Sequence, residues 1–432
     1  MLQTLRNAWK AIDIRKKIFF TIAIVLLYRI GNAVYVPYVN TEALTEYFAS
    51  MQTTVLGLLN VMSGGAFSTA TIFALSIQPY INASIIIQLL CIAIPALERM
   101  SKDEGEEGKK KIASITRYTT VVIGLIQGFA YYMLLRNQSA VYGILTAEGE
   151  SIWGAIVIIL TFTSGSALIM WLGEQITEFG IGNGISIILF ASIISRFPGD
   201  VSQMISSAAQ GLTPWWVTLL MLLGALLMII LIVFINDSER KIPVQYAKRV
   251  VGRKMYGGQS THLPMKVNMS GVLPIIFAQS IASVPATICA FVPKWQNSAF
   301  MKAFDTTSLL YAFIYLVLII FFAYFYSTIQ FNPVEVANNL KNNGGFIPGF
   351  RPGRPTSDFI KRVLNKITLF GAIYLGIIAV VPIVIAHFSE AAANSGVSLG
   401  GTSIIIVVGV AVETVRALEA QLLMRNYKGF LS

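Results

Sequence analysis

Residues 56–97 read LGLLNVMSGGAFSTATIFALSIQPYINASIIIQLLCIAIPAL, an apolar stretch that no single ordinary membrane-spanning helix accommodates. As one helix rising about 1.5 Å per residue it would run roughly 60 Å, about twice the hydrocarbon thickness of a bilayer. The stretch therefore breaks or folds back. Ser63, Gly64 and Gly65 interrupt it, Ser68, Thr69 and Thr71 follow, and Pro79 and Asn82 lie deeper in it. Non-helical backbone at membrane depth persists only where protein or a water-filled cavity satisfies its polar groups. The segment is thus expected to line a pore or a binding site.

The rest of the chain is of the same kind. Over 432 residues it is 55% hydrophobic and only 12% charged, which excludes an ordinary soluble globule. Apolar windows at 18–38, 71–97, 116–135, 152–172, 184–197, 215–235, 272–292, 308–330, 367–387 and 402–423 predict ten transmembrane helices, the fifth being the shortest. Lys10, Arg15, Lys16 and Lys17 precede the first window, and no small-residue cleavage site follows it, so it reads as a retained span.

The net charge of +11 does not point to nucleic acid, because its placement alternates along the chain. Basic residues collect before span one, between spans two and three (Arg99, Lys102, Lys109, Lys110, Lys111), between six and seven, and between eight and nine. The intervening loops hold few: Arg136, Arg196, Lys294 and Lys302. That is the positive-inside pattern, with both termini cytoplasmic. Ten spans divide five and five around the outer loop 198–214, and an odd number per half makes the halves run oppositely, as in an inverted repeat. The halves are taken as residues 1–200 and 201–432.

Two loops, 236–270 and 331–366, are too long for simple connections. Their basic residues fit either a positive-inside bias with affinity for anionic lipid or a docking surface for a large acidic partner. In the second loop, Gly344, Gly345, Pro348, Gly349, Pro352, Gly353 and Pro355 predict a bent, non-helical tip carrying those charges.

Chemistry is sparse. Cys91 and Cys289 sit in apolar windows, and His262 and His387 have no cysteine or carboxylate at ligand spacing, so neither a metal centre nor any other cofactor is expected. The GIGNG run with Gly180, Gly182 and Gly184 follows no strand, and is read as a linker rather than a nucleotide fingerprint. Ser260 and His262 lack an acid to orient them. Few ionisable residues fall inside spans: Arg29 in the first, and Glu413, Arg416 and Glu419 in the last, where Glu413 and Arg416 at i and i+3 are expected to pair. This is too little for a proton relay. A conduit without its own energy source and without enzymatic activity is the reading that remains, with a secondary transporter of a small solute as the alternative.

Five strings carry a resemblance: SGGAFSTATIFALSIQPYINASIIIQLL, GEQITEFGIGNGISIILFASI, YAKRVVGRKMYGGQSTHLPMKVNMSGVLPIIFAQSI, FNPVEVANNLKNNGGFIPGFRPGRPT and GGTSIIIVVGV. Together they resemble the bacterial SecY family, the central subunit of the protein-conducting translocation channel, in order and over essentially the whole chain. The resemblance implies an all-α polytopic protein with two inverted five-helix halves around an hourglass pore. It implies a plug helix over about 57–69, including Asn60, Ser63, Gly64, Gly65 and Phe67, and a lateral gate between spans two and seven with polar residues Asn82, Gln88 and Asn268. The family's pore constriction falls on Ile77, Ile81, Ile185, Leu189, Ile276 and Ile406. Its basic docking tips fall on Lys248, Arg249, Arg253, Lys254 and Arg351. Implied partners are the small subunits SecE and SecG, the motor ATPase SecA, the ribosome, signal sequences, unfolded polypeptide and membrane lipids. The implied location is the bacterial plasma membrane, where the channel exports secretory chains and releases membrane proteins sideways. A seal for chains of any sequence has to be apolar and deformable, which a ring of isoleucines supplies by dewetting.

Overall fold

The structure, a computed structural model, describes residues 6, 9–49, 55–102, 104–211, 214–246, 249–251, 254–256, 260–269, 271–291, 304–305, 308–388 and 397–428. Apolar runs of this length leave the backbone only its own hydrogen bonds in lipid, and the chain answers with helices. In order they are α1 Ile12–Gly31, α2 Thr41–Ala49, α3 Val55–Met62, α4 Gln78–Ala93, α5 Pro95–Lys102, α6 Gly105–Tyr142, α7 Ile152–Phe179, α8 Gly184–Ala209 and α9 Trp215–Asp237. Then follow α10 Leu273–Phe291, α11 Leu309–Gln330, α12 Pro333–Asn342, α13 Arg354–Phe388 and α14 Val397–Lys428. Among the described residues seven helices, α6 to α9, α11, α13 and α14, are long and apolar enough to cross a membrane. The apolar helix α4 and the apolar part of α10 are shorter. A helix overlaps each of the ten expected windows.

Several boundaries differ from expectation. The first span begins earlier and stops at Gly31, so Arg29 lies in its last turn, where Nη1 donates to Ser195 Oγ at 2.9 Å. The fifth does not stop at Pro198 but continues to Ala209, making most of the expected outer loop helical and carrying α8 past residue 200. A proline removes one i to i−4 bond, and here half-buried Val201, Met204, Ser207 and Ala208 keep the helical spacing beyond it. The bundle closes by backbone contact at small residues: a Cβ on Gly184 would collide with the Gly173 carbonyl, joining α7 to α8.

The two long loops fold together. Strand β1, Glu239–Tyr246, pairs antiparallel with a later strand, Ser260–Lys266, from Glu239 opposite Lys266 to Gln245 opposite Ser260. Between them the short strands Arg249–Val251 (β2) and Lys254–Tyr256 (β3) form a hairpin, which makes Ser260–Lys266 β4. Strand β5, Gly345–Phe346, from the second loop, adds to the free edge of β1. Beneath this sheet Ile242, Val244, Met265, Leu340, Ile347, Ile360 and Leu364 form a core of their own. The expected bent tip shrinks accordingly. Lys341 lies on α12 and Arg354, Lys361, Arg362 and Lys366 on α13, leaving 343–353 between the helices as the connection that carries Arg351.

Candidate plug, pore ring and gate

Helix α3 ends at Met62, and the chain then turns repeatedly until α4 starts at Gln78. The expected helix over 57–69 is therefore only half helical, because Gly64 (φ +69°) and Gly65 (φ +92°) adopt left-handed backbone that ends it. The polar residues of the break satisfy one another. Asn60 Oδ1 accepts the Ser68 N–H at 3.0 Å, and Ser63 Oγ accepts the Phe67 N–H at 3.0 Å while donating to the Asn60 carbonyl at 3.1 Å. Ser68 and Thr69 hydroxyls both donate to the Gly65 carbonyl. Asn60, Ser63 and Phe67 are buried, Gly64 and Gly65 half-buried. A Cβ on Gly64 would stand 2.8 Å from the Ser192 carbonyl, so this turn rests directly on α8. Pro79, expected as a break deep in the span, instead occupies the first turn of α4, where its missing N–H is harmless.

The six residues expected to form the ring come from four helices and lie in or against one large buried apolar cluster. Ile77 caps α4 and Ile81 follows one turn on; Ile185 and Leu189 are likewise a turn apart on α8; Ile276 and Ile406 come from α10 and α14. The i, i+4 spacing puts each pair on one face. Ile77, Ile81, Leu189, Ile276 and Ile406 are at most 4% exposed, and half-buried Ile185 packs against the cluster they belong to. Met62, at the end of α3, belongs to the same cluster, and α3 touches α8, α10 and α14. The apolar cluster is thus continuous with the broken segment.

Helices α4 and α10 are in contact, with α6 against both and α11 against α10. Among the described residues, the polar residues expected at a gate form no hydrogen bond with one another. Gln88 donates to Ser84 on its own helix at 3.1 Å, Asn268 donates to Asn236 Oδ1 at 2.9 Å, and Asn82 is half-buried on α4. On α10, Gln279 Oε1 and Ser280 Oγ are buried without a hydrogen-bond partner among the described residues.

Where α9, β1, β4, α10 and α14 converge, a polar junction forms. Arg416 does not pair with Glu413. Its Nη2 reaches Asp237 Oδ1 at 2.8 Å and also donates to the Asn236 carbonyl, placing a cation on the C-terminus of α9. Gly271 (φ +64°) leaves room for the Glu413 carboxylate, which a Cβ there would strike. Burial and the Arg416 charge lower the pKa of Lys266, with Glu413, Glu239 and Asp237 opposing.

At the sheet end, Arg351 is exposed between Gly349 (φ +89°) and Gly353 (φ +101°), its carbonyl accepting the Thr356 hydroxyl at 2.8 Å. Arg249 and Lys254 lie on β2 and β3, whereas Lys248 and Arg253 fall outside the described residues.

Sequence reasoning missed the aromatic side chains around the broken segment. Tyr28 and Tyr131 are 0% exposed. Tyr28 Oη lies 2.6 Å from Ser192 Oγ, and Tyr131 donates to the Phe67 carbonyl. A buried tyrosine hydroxyl usually finds such a partner, and that tendency was the available signal.

A family profile for SecY matches residues 71–415. The protein translocase subunit SecY of Streptomyces coelicolor is 44% identical over 443 aligned residues, covering 100% of both chains, and that of Mycobacterium tuberculosis is 42% identical over 446 with the same coverage. The chain belongs to the SecY family. It is a multi-pass membrane subunit of a protein translocase, and the small-solute transporter finds no support among these relatives. Among solved structures, a protein-conducting channel matches with a TM-score of 0.65 at 17% identity, covering 94% of this chain and 91% of that one. The canine Sec61 of a ribosome-channel complex from the endoplasmic reticulum gives 0.61 at 16% identity, with coverage of 94% and 91%. At those identities the likeness is one of fold.

Proposed function

We propose that the chain is a passive protein-conducting pore whose closed state is sealed by the six-residue ring and by the plug formed from α3 and the turns after it. The observation that carries this is the convergence of Ile77, Ile81, Ile185, Leu189, Ile276 and Ile406 from four helices into one buried apolar cluster bordered by α3. Such a ring closes by excluding water and deforms around a polypeptide of any sequence, whereas polar contacts would favour some sequences over others. No catalytic step is assigned to the chain.

In this reading residues 1–200 and 201–432 are the two halves, inverted relative to each other, and α4 and α10 form the seam through which a signal sequence leaves toward lipid. Asn82, Gln88 and Asn268 flank that seam; the Gln88 bond to Ser84 and the Asn268 bond to Asn236 each stay within one half, so separating the helices breaks neither. Both termini and the sheet then lie on the cytoplasmic side of a bacterial plasma membrane, following the positive-inside rule. The exposed Arg351 tip and the β2–β3 hairpin, with Lys248, Arg249, Arg253 and Lys254, are the docking surface for SecA or the ribosome. SecE and SecG are the accessory membrane subunits.

Deleting 57–69 tests the plug. Reconstituted channels without it are expected to leak ions; unchanged conductance removes the plug from the account.

A further inference from the structure

The plug is not held by the ring alone. Its far end is built into a second cluster, made by the turns after α3 together with α2, α6 and α7, in which Phe67, Ala70, Ala74 and Leu75 pack against Phe48, Tyr131 and Phe162. Phe67 is the centre of this arrangement. Its ring stacks on Tyr131 with centroids 4.3 Å apart and meets the edge of Phe48 at 5.3 Å. Tyr131 also donates its hydroxyl to the Phe67 carbonyl, so one residue grips both the side chain and the backbone of the same plug residue. Among the described residues the one other donor to that carbonyl is the Ala70 N–H, at a long 3.4 Å.

We propose that Tyr131 is the positioning residue that seats the closed plug, an inference that rests on reading this segment as a plug. While the plug is in place the Phe67 carbonyl is buried, and its partner is a phenol on a neighbouring helix. Moving the plug away replaces that phenol with water. Removing the phenol oxygen leaves the carbonyl short of a partner only in the closed state, and so favours the displaced one.

Tyr131→Phe keeps the ring and removes the bond. In the reconstituted translocase the closed-channel ion conductance of Y131F is expected to rise about three- to ten-fold, the range a lost buried hydrogen bond gives. The same substitution in a channel lacking 57–69 is expected to add nothing. A rise of equal size without the plug, or no rise where plug deletion itself increases leakage, overturns the assignment. If plug deletion leaves leakage unchanged, it is the plug reading that fails. Phe67→Leu, which abolishes the stacking without touching α6, is expected to leak likewise, and a tight F67L channel counts against the anchor.

Discussion

Ile276 stands 2% exposed in the first turn of α10, within a buried apolar cluster to which α4, α8 and α14 also contribute. A lysine there places an unpaired charge in a buried apolar cluster, which draws in water or forces the helices apart. Ile276→Lys is expected to raise closed-state conductance and to let precursors with weakened signal sequences through; a stricter demand on the signal sequence would contradict the ring. Lys266 offers a test by pH. Its pKa is lowered, so its protonated form weakens the fold at low pH, and that penalty is relieved as pH rises through the folded-state value. Glu413 is one of the carboxylates that support its charge. Glu413→Gln therefore lowers the pKa further, and mass spectrometry at mildly alkaline pH should find Lys266 acylated faster in the variant; equal or slower acylation would count against the junction as described.

At the scale of elements, the platform of β4, β1 and β5 determines where Arg351 stands. Phe350 packs on Phe359 with ring centroids 4.3 Å apart, fixing the apex to the first turns of α13. A rigid, exposed arginine suits recognition of carboxylates on a partner. Arg351→Glu is expected to abolish motor-driven export while the protein accumulates normally in the membrane; normal export would remove this tip from the docking surface. The glycines and prolines around Arg351 were legible in sequence because left-handed backbone and fixed φ are local demands. The sheet beneath was not, since pairing of Gln245 with Phe346 joins segments about a hundred residues apart and leaves no local signal. The same division runs through the site. Ser63, Gly64 and Gly65 announced the break, but its extension to Ile77 depends on partners in α6 and α8. The run of α8 through Pro198 depends on packing that outweighs a roughly 3 kcal/mol local penalty. Glu413 and Arg416 had the right spacing to pair, yet the C-terminus of α9 competes for the guanidinium and wins it.

For the whole molecule, ten apolar windows were readable from composition, and seven of the described helices are long and apolar enough to cross a membrane; the gathering of Ile77, Leu189, Ile276 and Ile406 from four helices into one buried cluster is a property of the assembled bundle. The helices leave broad apolar faces outward, as on α9, where Leu227 is 63% exposed, and a buried apolar cluster inward. In the proposed pore a polypeptide in transit touches the inward set and misses the outward one. The direct measurement is photo-crosslinking of a stalled secretory chain to probes placed singly at Ile77, Ile276 and Leu227 in the active translocase. Adducts at Ile77 and Ile276 along the length of the chain, with none at Leu227, are the predicted result; adducts at Leu227 without any at the two isoleucines would contradict the pore.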